Sequence, residues 1–169
     1  MNEVSPIEIA FGHDSHLWAG APFAEGAARR AVAAAFVHSG LTCRDGAELS
    51  IVLTDDARIR ALNAAWRGQD KATNVLSFPA VEPAMIPTAP LLGDIVVAYE
   101  TVEREARAQS ISFRNHYVHL LVHGFLHLFG YDHLTEVEAA AMERLESEIL
   151  HRLGIEDPYA GTIVTREAS

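Results

Sequence analysis

The sequence is poor in cysteine and lysine and has no long hydrophobic run. Cys43 is its only cysteine, so the chain cannot form an internal disulfide, which is typical of proteins in a reducing compartment. No apolar stretch approaches the roughly 20 residues that a membrane-spanning helix needs. The first residues also lack the basic and apolar regions of a signal peptide. We therefore expect a soluble cytoplasmic protein that does not bind a membrane.

The scarcity of lysine accompanies a strongly acidic balance of charge. Lys71 is the only lysine beside twelve arginines, and the formal net charge of the 169 residues is −10. Non-specific affinity for nucleic acids comes mainly from lysines and arginines that neutralise phosphates. The composition therefore argues against a general nucleic-acid binder, and we expect no DNA binding. Any contact with RNA has to use a local group of arginines against an unfavourable overall field.

Hydrophobic periodicity predicts four strands and about five helices. The strands are expected at residues 7–11, 48–54, 75–78 and 93–98, and the helices at residues 22–38, 55–66, 99–109, 112–129 and 135–153. In the second helix, Ile59, Leu62 and Trp66 form the predicted buried stripe. Because the last three helices are consecutive, the fold class is α+β, with one four-stranded mixed sheet. Residues 1–155 are expected to form a single domain and residues 156–169 a partly ordered tail.

Three histidines near the end of the fourth predicted helix are spaced as metal ligands. His123 and His127 are four residues apart, so on a helix they lie on one face with Cβ atoms about 5–6 Å apart. Gly130 can end that helix in a left-handed conformation, after which the chain can return His133 to the same ion. Three imidazoles with a fourth position left open are typical of a catalytic zinc site.

The same register of histidines and glycine occurs in metzincin proteases, where a glutamate follows the first histidine and acts as the general base. Gly124 occupies that position here. The sequence therefore predicts the metal-binding geometry without the peptidase base. A metallopeptidase stays an alternative, and Gly124 argues against it.

Two further histidines precede this motif on the same predicted helix. His119 shares the face of His123 and His127, but the outer two of these three lie about 12 Å apart by helical rise, so all three cannot bind one ion. We expect His119 to be packed or to contact a ligand, and His116 to be exposed.

Three charged residues are candidates for a catalytic or supporting role. Asp132 is either a carboxylate that supports the metal site or acts as a base, or the cap of the turn that it lies in. Asp94 either accepts a hydrogen bond from a ligand imidazole or serves as a turn carboxylate. Arg67 is either a solvated arginine or a guanidinium that binds a phosphate and stabilises charge in a transition state.

Three segments together resemble the YbeY family, the metal-dependent endoribonucleases of ribosomal RNA maturation. The resemblance rests on Leu62-Asn63 with Arg67-Gly68 and TNVLSFP at residues 73–79, on LGDI at residues 92–95, and on HGFLHLFGYDH at residues 123–133. The last of these elements is highly specific. One position departs from the family pattern, because Asn74 stands where the family typically has aspartate. The amide keeps the shape of that side chain and loses its charge.

The resemblance implies a zincin-like fold in which His123, His127 and His133 bind one Zn²⁺ ion. Arg67 matches the family's functional arginine and is expected to offset charge on the scissile phosphate, with Asp132 as a second candidate catalytic residue. The implied activity is single-strand-specific cleavage of ribosomal RNA, in processing of the 16S 3′ end and in ribosome maturation and quality control. The nucleophile is either a zinc-bound water, with a pKa lowered toward about 7, or the 2′-hydroxyl of the RNA.

The implied partners are ribosomal RNA and the ribosome with its small-subunit proteins. Docking to a ribosome need not rely on net charge, which partly answers the objection from the acidic composition. A zinc-stabilised ribosome-assembly factor without catalytic activity is the remaining alternative.

Overall fold

A computed structural model of the chain describes residues 5–159, which form a sheet with helices on both faces. The strands are β1 Glu8–His13, β2 Glu48–Thr54, β3 Val75–Pro79 and β4 Leu91–Ala98. The α-helices are α1 Ala24–His38, α2 Asp56–Arg67, α3 Tyr99–Ala108, α4 Phe113–Leu128 and α5 Glu136–Arg152. Two short 3-10 helices, His16–Gly20 and Pro83–Thr88, lie outside the predicted strands and helices. Residues 160–169 of the predicted tail lie outside the described residues.

The four strands form one mixed sheet in the order β1-β2-β4-β3. The first three in this order are parallel to one another, and β3 pairs with β4 in the antiparallel direction. This arrangement confirms the predicted α+β class with a four-stranded mixed sheet, whereas the zincin-like assignment stays a prediction. Strand β3 is short and lies at an edge of the sheet.

The two faces of the sheet support two cores of unequal size. Successive side chains of a strand point to opposite faces, and β4 shows this clearly. Ile95 and Val97 belong to the large core that the sheet shares with α1, α4 and α5, whereas Val96 and Ala98 pack with Ile59 of α2 in a smaller core. The position of a residue in the strand's alternation therefore determines which of the two cores its side chain packs in.

Helix α4 lies at the centre of the larger core. Ser112 caps its N-terminus by accepting a hydrogen bond from the backbone N–H of Asn115 at 3.1 Å. The helix packs against α1, α3, α5 and both β3 and β4, so that most of its side chains are buried. Within residues 5–159, no helix combines the length and the apolar character needed to cross a bilayer.

The prediction that Trp66 belongs to the buried stripe of α2 is wrong. Ile59 is fully buried, but the Trp66 side chain is 72% exposed, and the buried polar residue in its part of the helix is Asn63. The Asn63 side chain donates a hydrogen bond to the backbone carbonyl of Lys71 at 3.0 Å. Trp66 lies on the helix face that the stripe predicts. It stays exposed because only the edge strand β3 lies beside the last turn of α2.

His116 is also not where the sequence places it. The prediction that it is exposed is wrong, because only 4% of the residue is accessible. Helix α3 packs over this part of α4 and supplies Glu105, whose Oε1 lies 2.9 Å from Nε2 of His116. The partner comes from another helix, so its presence could not be seen in the periodicity of α4.

Candidate metal centre and cleft

The end of α4 positions the three histidines of the sequence motif. His123 and His127 lie on the last two turns of the helix, which ends in a Schellman motif around Gly130. The N–H of Tyr131 donates to the carbonyl of Leu126 at 3.1 Å, and the N–H of Gly130 donates to that of His127 at 3.0 Å. Gly130 adopts a φ of +98°, which favours glycine.

The chain leaving this turn brings His133 back over the helix. One ring nitrogen from each of His123, His127 and His133 falls within a group whose members all lie within 4.8 Å of one another. The Nε2 atoms of His123 and His127 are 3.0 Å apart. The structure thus gathers the three residues that the sequence singles out, and their assignment as metal ligands stays a proposal that is tested below.

A buried carboxylate that the sequence analysis missed orients the first of these histidines. Oε1 of Glu146, on α5, lies 2.6 Å from Nδ1 of His123, and the carboxylate is 1% exposed. Burial alone would raise the pKa of Glu146, but its contacts with His119 and His123 hold that pKa well below its usual range. An ionised carboxylate can only accept, so Nδ1 of His123 carries the proton and Nε2 is free to bind an ion.

Glu146 is further enclosed by two other polar side chains. The hydroxyl of Tyr159 donates a hydrogen bond to Oε2 of Glu146 at 2.9 Å, and Nε2 of His119 lies 3.7 Å from Oε1. His119 is therefore packed beside the carboxylate that contacts His123, in agreement with its expected supporting position. A sequence signal for Glu146 exists, because it interrupts the apolar stripe of α5 formed by Ala139, Met142, Ile149 and Leu150.

The second histidine is held uncharged at neutral pH. The pKa of His127 falls to about 4, first because burial disfavours the charged imidazole and then because His123 and His133 lie close by. Asp132 and a backbone hydrogen bond with Tyr131 act in the opposite direction and are weaker. A neutral imidazole is the form that binds a metal, so His127 needs to lose no proton on binding.

The donor set fits a transition-metal ion. Nδ1 of His133 is buried and has no hydrogen-bond partner within residues 5–159. A buried polar atom without a partner is costly, and an ion bound by the three imidazoles is one way to satisfy such an atom. Three nitrogen donors suit zinc and its neighbours better than magnesium or calcium, which take oxygen ligands.

Arg67 lies at the same cleft as the three imidazoles. The cleft has a volume of about 440 Å³ and is lined by residues from α2, β3, α4 and the turn after α4. A guanidinium N–H of Arg67 donates to the backbone carbonyl of Ser77 at 3.0 Å, and the group lies 5.9 Å from the centroid of the Phe78 ring. These contacts hold an exposed cation among the residues that line the cleft.

Asp132 caps the turn that it lies in, one of the two roles that the sequence leaves open, and its role as a base stays a prediction. Its Oδ1 accepts a hydrogen bond from the backbone N–H of His133 at 2.7 Å, which stabilises the turn that returns His133. The same oxygen lies 4.0 Å from Nδ1 of His133. Asp132 also lines the cleft and is partly exposed to it, so the turn carboxylate is at the same time a cleft carboxylate.

Gly124 has a packing reason to be glycine. A Cβ at this position would lie 2.9 Å from Oγ of Ser77, 3.3 Å from Ile95 and 3.4 Å from Val75. The Ser77 hydroxyl donates to the Gly124 carbonyl at 2.9 Å, which draws α4 and β3 together. The position of the protease base thus points into the sheet here, where a glutamate side chain would have to displace Ser77, Ile95 and Val75.

Asp94 does not contact the histidines. It lies on β4 one residue before Ile95, so the alternation of side chains turns it toward the face of the sheet that α2 covers. There it lines a second groove together with Trp66 and Phe78. Of the two roles that the sequence leaves open for Asp94, a hydrogen bond to a ligand imidazole is therefore not seen, and Glu146 contacts His123 instead.

The departure from the family pattern at Asn74 also has a structural counterpart. The Asn74 amide donates a hydrogen bond to Oε1 of Glu105 at 2.9 Å, and the same oxygen is bonded to Nε2 of His116. Burial would raise the pKa of Glu105, but its contacts with His116 and Asn74 lower that pKa below its usual value. An aspartate at position 74 would face this ionised carboxylate, so the neutral amide suits the Glu105 of this chain.

Comparison with known proteins agrees with the resemblance seen in the motifs. Residues 24–154 match the family model described as Endoribonuclease YbeY. A protein of that name from Agrobacterium fabrum is 65% identical over 116 residues, which cover 68% of this chain and 68% of the relative. Another from Nitrobacter winogradskyi is 54% identical over 149 residues, which cover 85% of this chain and 77% of the relative.

A solved structure shares the fold. The solution structure of a protein from Thermotoga maritima superposes with a TM-score of 0.55 and 23% sequence identity. The match covers 95% of this chain and 99% of that protein. At this identity the likeness concerns the fold alone.

Proposed function

We propose that this chain, which belongs to the endoribonuclease YbeY family and is a metal-dependent endoribonuclease, cleaves single-stranded ribosomal RNA. We further propose that His123, His127 and His133 bind the zinc ion at which cleavage occurs. One observation carries the proposal: three imidazole nitrogens converge in a cleft whose rim holds the guanidinium of Arg67. Nitrogen donors for a Lewis-acidic ion beside a fixed cation form a site suited to a phosphodiester.

Zinc is the ion that we propose the three histidines bind. Three histidine ligands with an open fourth position are the arrangement of catalytic zinc sites. Held by His123, His127 and His133, the ion would supply Lewis-acid chemistry to a phosphodiester. Glu146 contributes by keeping the proton of His123 on Nδ1, so that its Nε2 faces the ligand position.

Arg67 is the residue that we propose acts on the phosphate. Its guanidinium is held by the Ser77 carbonyl and by the face of Phe78, so the remaining N–H groups are directed without a large loss of side-chain freedom. A cation placed in advance where negative charge develops stabilises the transition state more than the ground state. Asp132 is the cleft carboxylate that we propose accepts the proton of the nucleophile, which is either a water or the 2′-hydroxyl of the RNA.

The size of the cleft supports an unpaired substrate. A volume of about 440 Å³ lies in the range of pockets that hold one small molecule. Such a cleft admits a nucleotide of a single strand, whereas a duplex holds its phosphates apart on a wide cylinder. We further propose that the substrate is the 3′ end of 16S ribosomal RNA, and that the enzyme acts in the cytoplasm with the ribosome and its small-subunit proteins as partners in maturation and quality control.

The test compares three substrates with zinc-loaded protein. The first is a structured RNA with a single-stranded 3′ extension, the second is the same RNA with that extension paired to a complementary strand, and the third is casein. We expect cleavage of the unpaired extension alone. Small-subunit particles that carry unprocessed 16S RNA, assayed in parallel, should be cleaved at the 3′ end.

Two variants connect the activity to the cleft. His127→Ala should lose both bound zinc and RNA cleavage, whereas His151→Ala, which changes an exposed histidine of α5, should keep both. Casein hydrolysis that His127→Ala abolishes would support a metallopeptidase instead. Inactivity of the zinc-loaded wild-type protein on every RNA would also contradict the proposal and favour a zinc-stabilised assembly factor.

A further inference from the structure

A second groove lies on the opposite face of the sheet, beside the catalytic cleft. It has a volume of about 590 Å³ and is formed between the last turns of α2 and the strands β3 and β4. Trp66 and Phe78 line it together with the aliphatic side chains of Val52, Leu62 and Val96. We propose that this groove binds one unpaired base of the RNA strand whose phosphate contacts Arg67, an inference that rests on the proposed endoribonuclease function.

The aromatic pair has the character of a base-stacking platform. The Trp66 side chain is 72% exposed, although indole is among the most hydrophobic side chains. Its ring centroid lies 6.3 Å from that of Phe78, at an interplanar angle of 63°, so the two rings form adjoining walls that are not stacked on each other. Proteins that bind single strands without reading a particular sequence stack successive bases on such exposed rings.

The groove is continuous with the catalytic cleft. Pro79, the last residue of β3, lines both. Arg67 joins them as well, because its guanidinium donates to the Ser77 carbonyl at the cleft and lies over the Phe78 ring at the groove. A strand with a phosphate at Arg67 can therefore place a neighbouring base against Trp66 without leaving the protein surface.

The charges at the groove favour binding of an RNA base over binding of the sugar–phosphate backbone. Asp14 and Asp94 line it, and both are exposed carboxylates. A phosphate there would meet like charges, whereas Arg67 attracts it on the other side of Pro79. Carboxylates accept hydrogen bonds from base amino groups, as from N4 of cytosine. The arrangement therefore directs the sugar–phosphate chain along the Arg67 side and a base into the groove.

The experiment measures binding separately from cleavage. Metal-free protein, prepared with a chelator, is titrated into a short single-stranded oligocytidylate that carries a fluorescein label, and the anisotropy of the label gives the dissociation constant of every variant. The quenching of tryptophan fluorescence by the same oligocytidylate is followed in parallel. Trp18 and Trp66 are the two tryptophans, and Trp18 is buried, so quenching that is lost in Trp66→Phe comes from stacking on Trp66. We expect the dissociation constant to rise about 5- to 100-fold in Trp66→Ala, as for the loss of one stacked base.

Matched variants separate stacking from folding. Trp66→Phe should keep most of the affinity because it keeps an aromatic face, and Val37→Ala, which changes an exposed residue of α1 in the other layer, should bind as the wild type does. In zinc-loaded protein Trp66→Ala should raise KM for single-stranded RNA and leave kcat and zinc content unchanged. RNA binding that depends on Trp66 in a protein that cleaves no RNA would refute the proposed function and leave the base site in place.

Equal affinity of wild type and Trp66→Ala for the oligocytidylate, measured on folded protein, would overturn the base site itself. If Trp66→Ala then also lost binding to a small-subunit protein, the groove would be assigned to a protein side chain.

Discussion

His123 and Glu146, 23 residues apart in sequence, meet at 2.6 Å between Nδ1 and Oε1 inside the protein. The contact joins α4, which carries the imidazole, to α5, which carries the carboxylate. It determines which nitrogen of His123 is protonated and therefore which one faces the cleft. The central geometry of the proposed metal site thus depends on how two consecutive helices pack, and not only on the spacing of the histidines.

Replacing Glu146 by Gln should weaken metal binding. The amide keeps the shape of the side chain but loses the charge that stabilises the Nδ1–H of His123, so we expect the dissociation constant for zinc to rise about 10- to 100-fold. Competition with a chromogenic chelator measures this constant directly. Glu148→Gln is the matched control, because Glu148 also contacts a histidine, His38, at 2.9 Å but on the exposed side of α5. Equal zinc affinities for Glu146→Gln and the wild type would contradict the orienting role.

Replacing Arg67 by Ala should slow RNA cleavage without loss of the metal. If the guanidinium stabilises the transition state, kcat should fall about 10²- to 10³-fold, as for the loss of one donor to a developing anion. Arg67→Lys should recover little, because an ammonium group cannot reproduce the planar fork of the guanidinium. The rates are measured at saturating single-stranded RNA, with zinc content determined on each sample.

The control for this series is Arg60→Ala on the same helix. Arg60 pairs with Asp70 at 2.8 Å on the exposed surface and does not line the cleft, so its loss should leave kcat unchanged. Zinc content and melting temperature should barely change in any of the three variants, because Arg67 is exposed. Wild-type rates for Arg67→Ala would return this residue to the role of a solvated surface arginine.

Replacing Gly124 by Ala should destabilise the fold through crowding between α4 and β3. The new methyl group would lie 2.9 Å from Oγ of Ser77. Overpacking of this kind costs about 1–3 kcal/mol, while alanine recovers about 1 kcal/mol of helix propensity. We expect a net loss of up to about 2 kcal/mol in the free energy of unfolding. In a double-mutant cycle with Ser77→Ala, which removes the nearest atom, the two effects should be less than additive. Strict additivity would show that this contact is not the cause.

The stability of the metal-free protein should depend on pH through His127. Its pKa of about 4 in the folded chain lies below the usual value of 6.5. Between these values the unfolded chain binds a proton that the folded chain excludes. The contribution of neutral His127 to the free energy of unfolding is therefore fully present above pH 6.5 and is lost as the pH falls toward 4. The slope cannot exceed about 1.4 kcal/mol per pH unit and is reduced by the partial solvent access of the ring.

Urea unfolding of chelator-treated protein at pH 7, 6 and 5 measures this dependence. His127→Gln carries no titrating group at this position, so its free energy of unfolding should vary less over the same range. The window ends above the pH at which Glu146 titrates in the unfolded chain, so the two groups are separated. An unchanged slope in the variant would assign the pH dependence to other residues.

The features that the sequence determines by itself are those that depend on residues close together in the chain. The spacing of His123, His127 and His133 around Gly130 predicts that the first two share a helix face, that the helix ends at the glycine and that the chain then turns back. Each of these features depends on residues within about ten positions. The structure ends α4 at Leu128 with Gly130 at positive φ, as this pattern predicts. Strand β2 likewise runs over Glu48–Thr54, the range read from its composition.

Long-range packing decides what the sequence could not show. Glu146 reaches His123 only because α5 folds back against α4, and the interrupted apolar stripe of α5 gives no indication of which residue it meets. Asp94 is turned away from the imidazoles because β4 is covered on both faces, and its place in the alternation assigns it to the side of α2. Trp66 continues a stripe that is correct for a helix, but it contacts only the edge strand through Phe78 and stays exposed. Periodicity describes which face of an element is apolar, whereas the partner of that face is set by contacts between residues far apart in the chain.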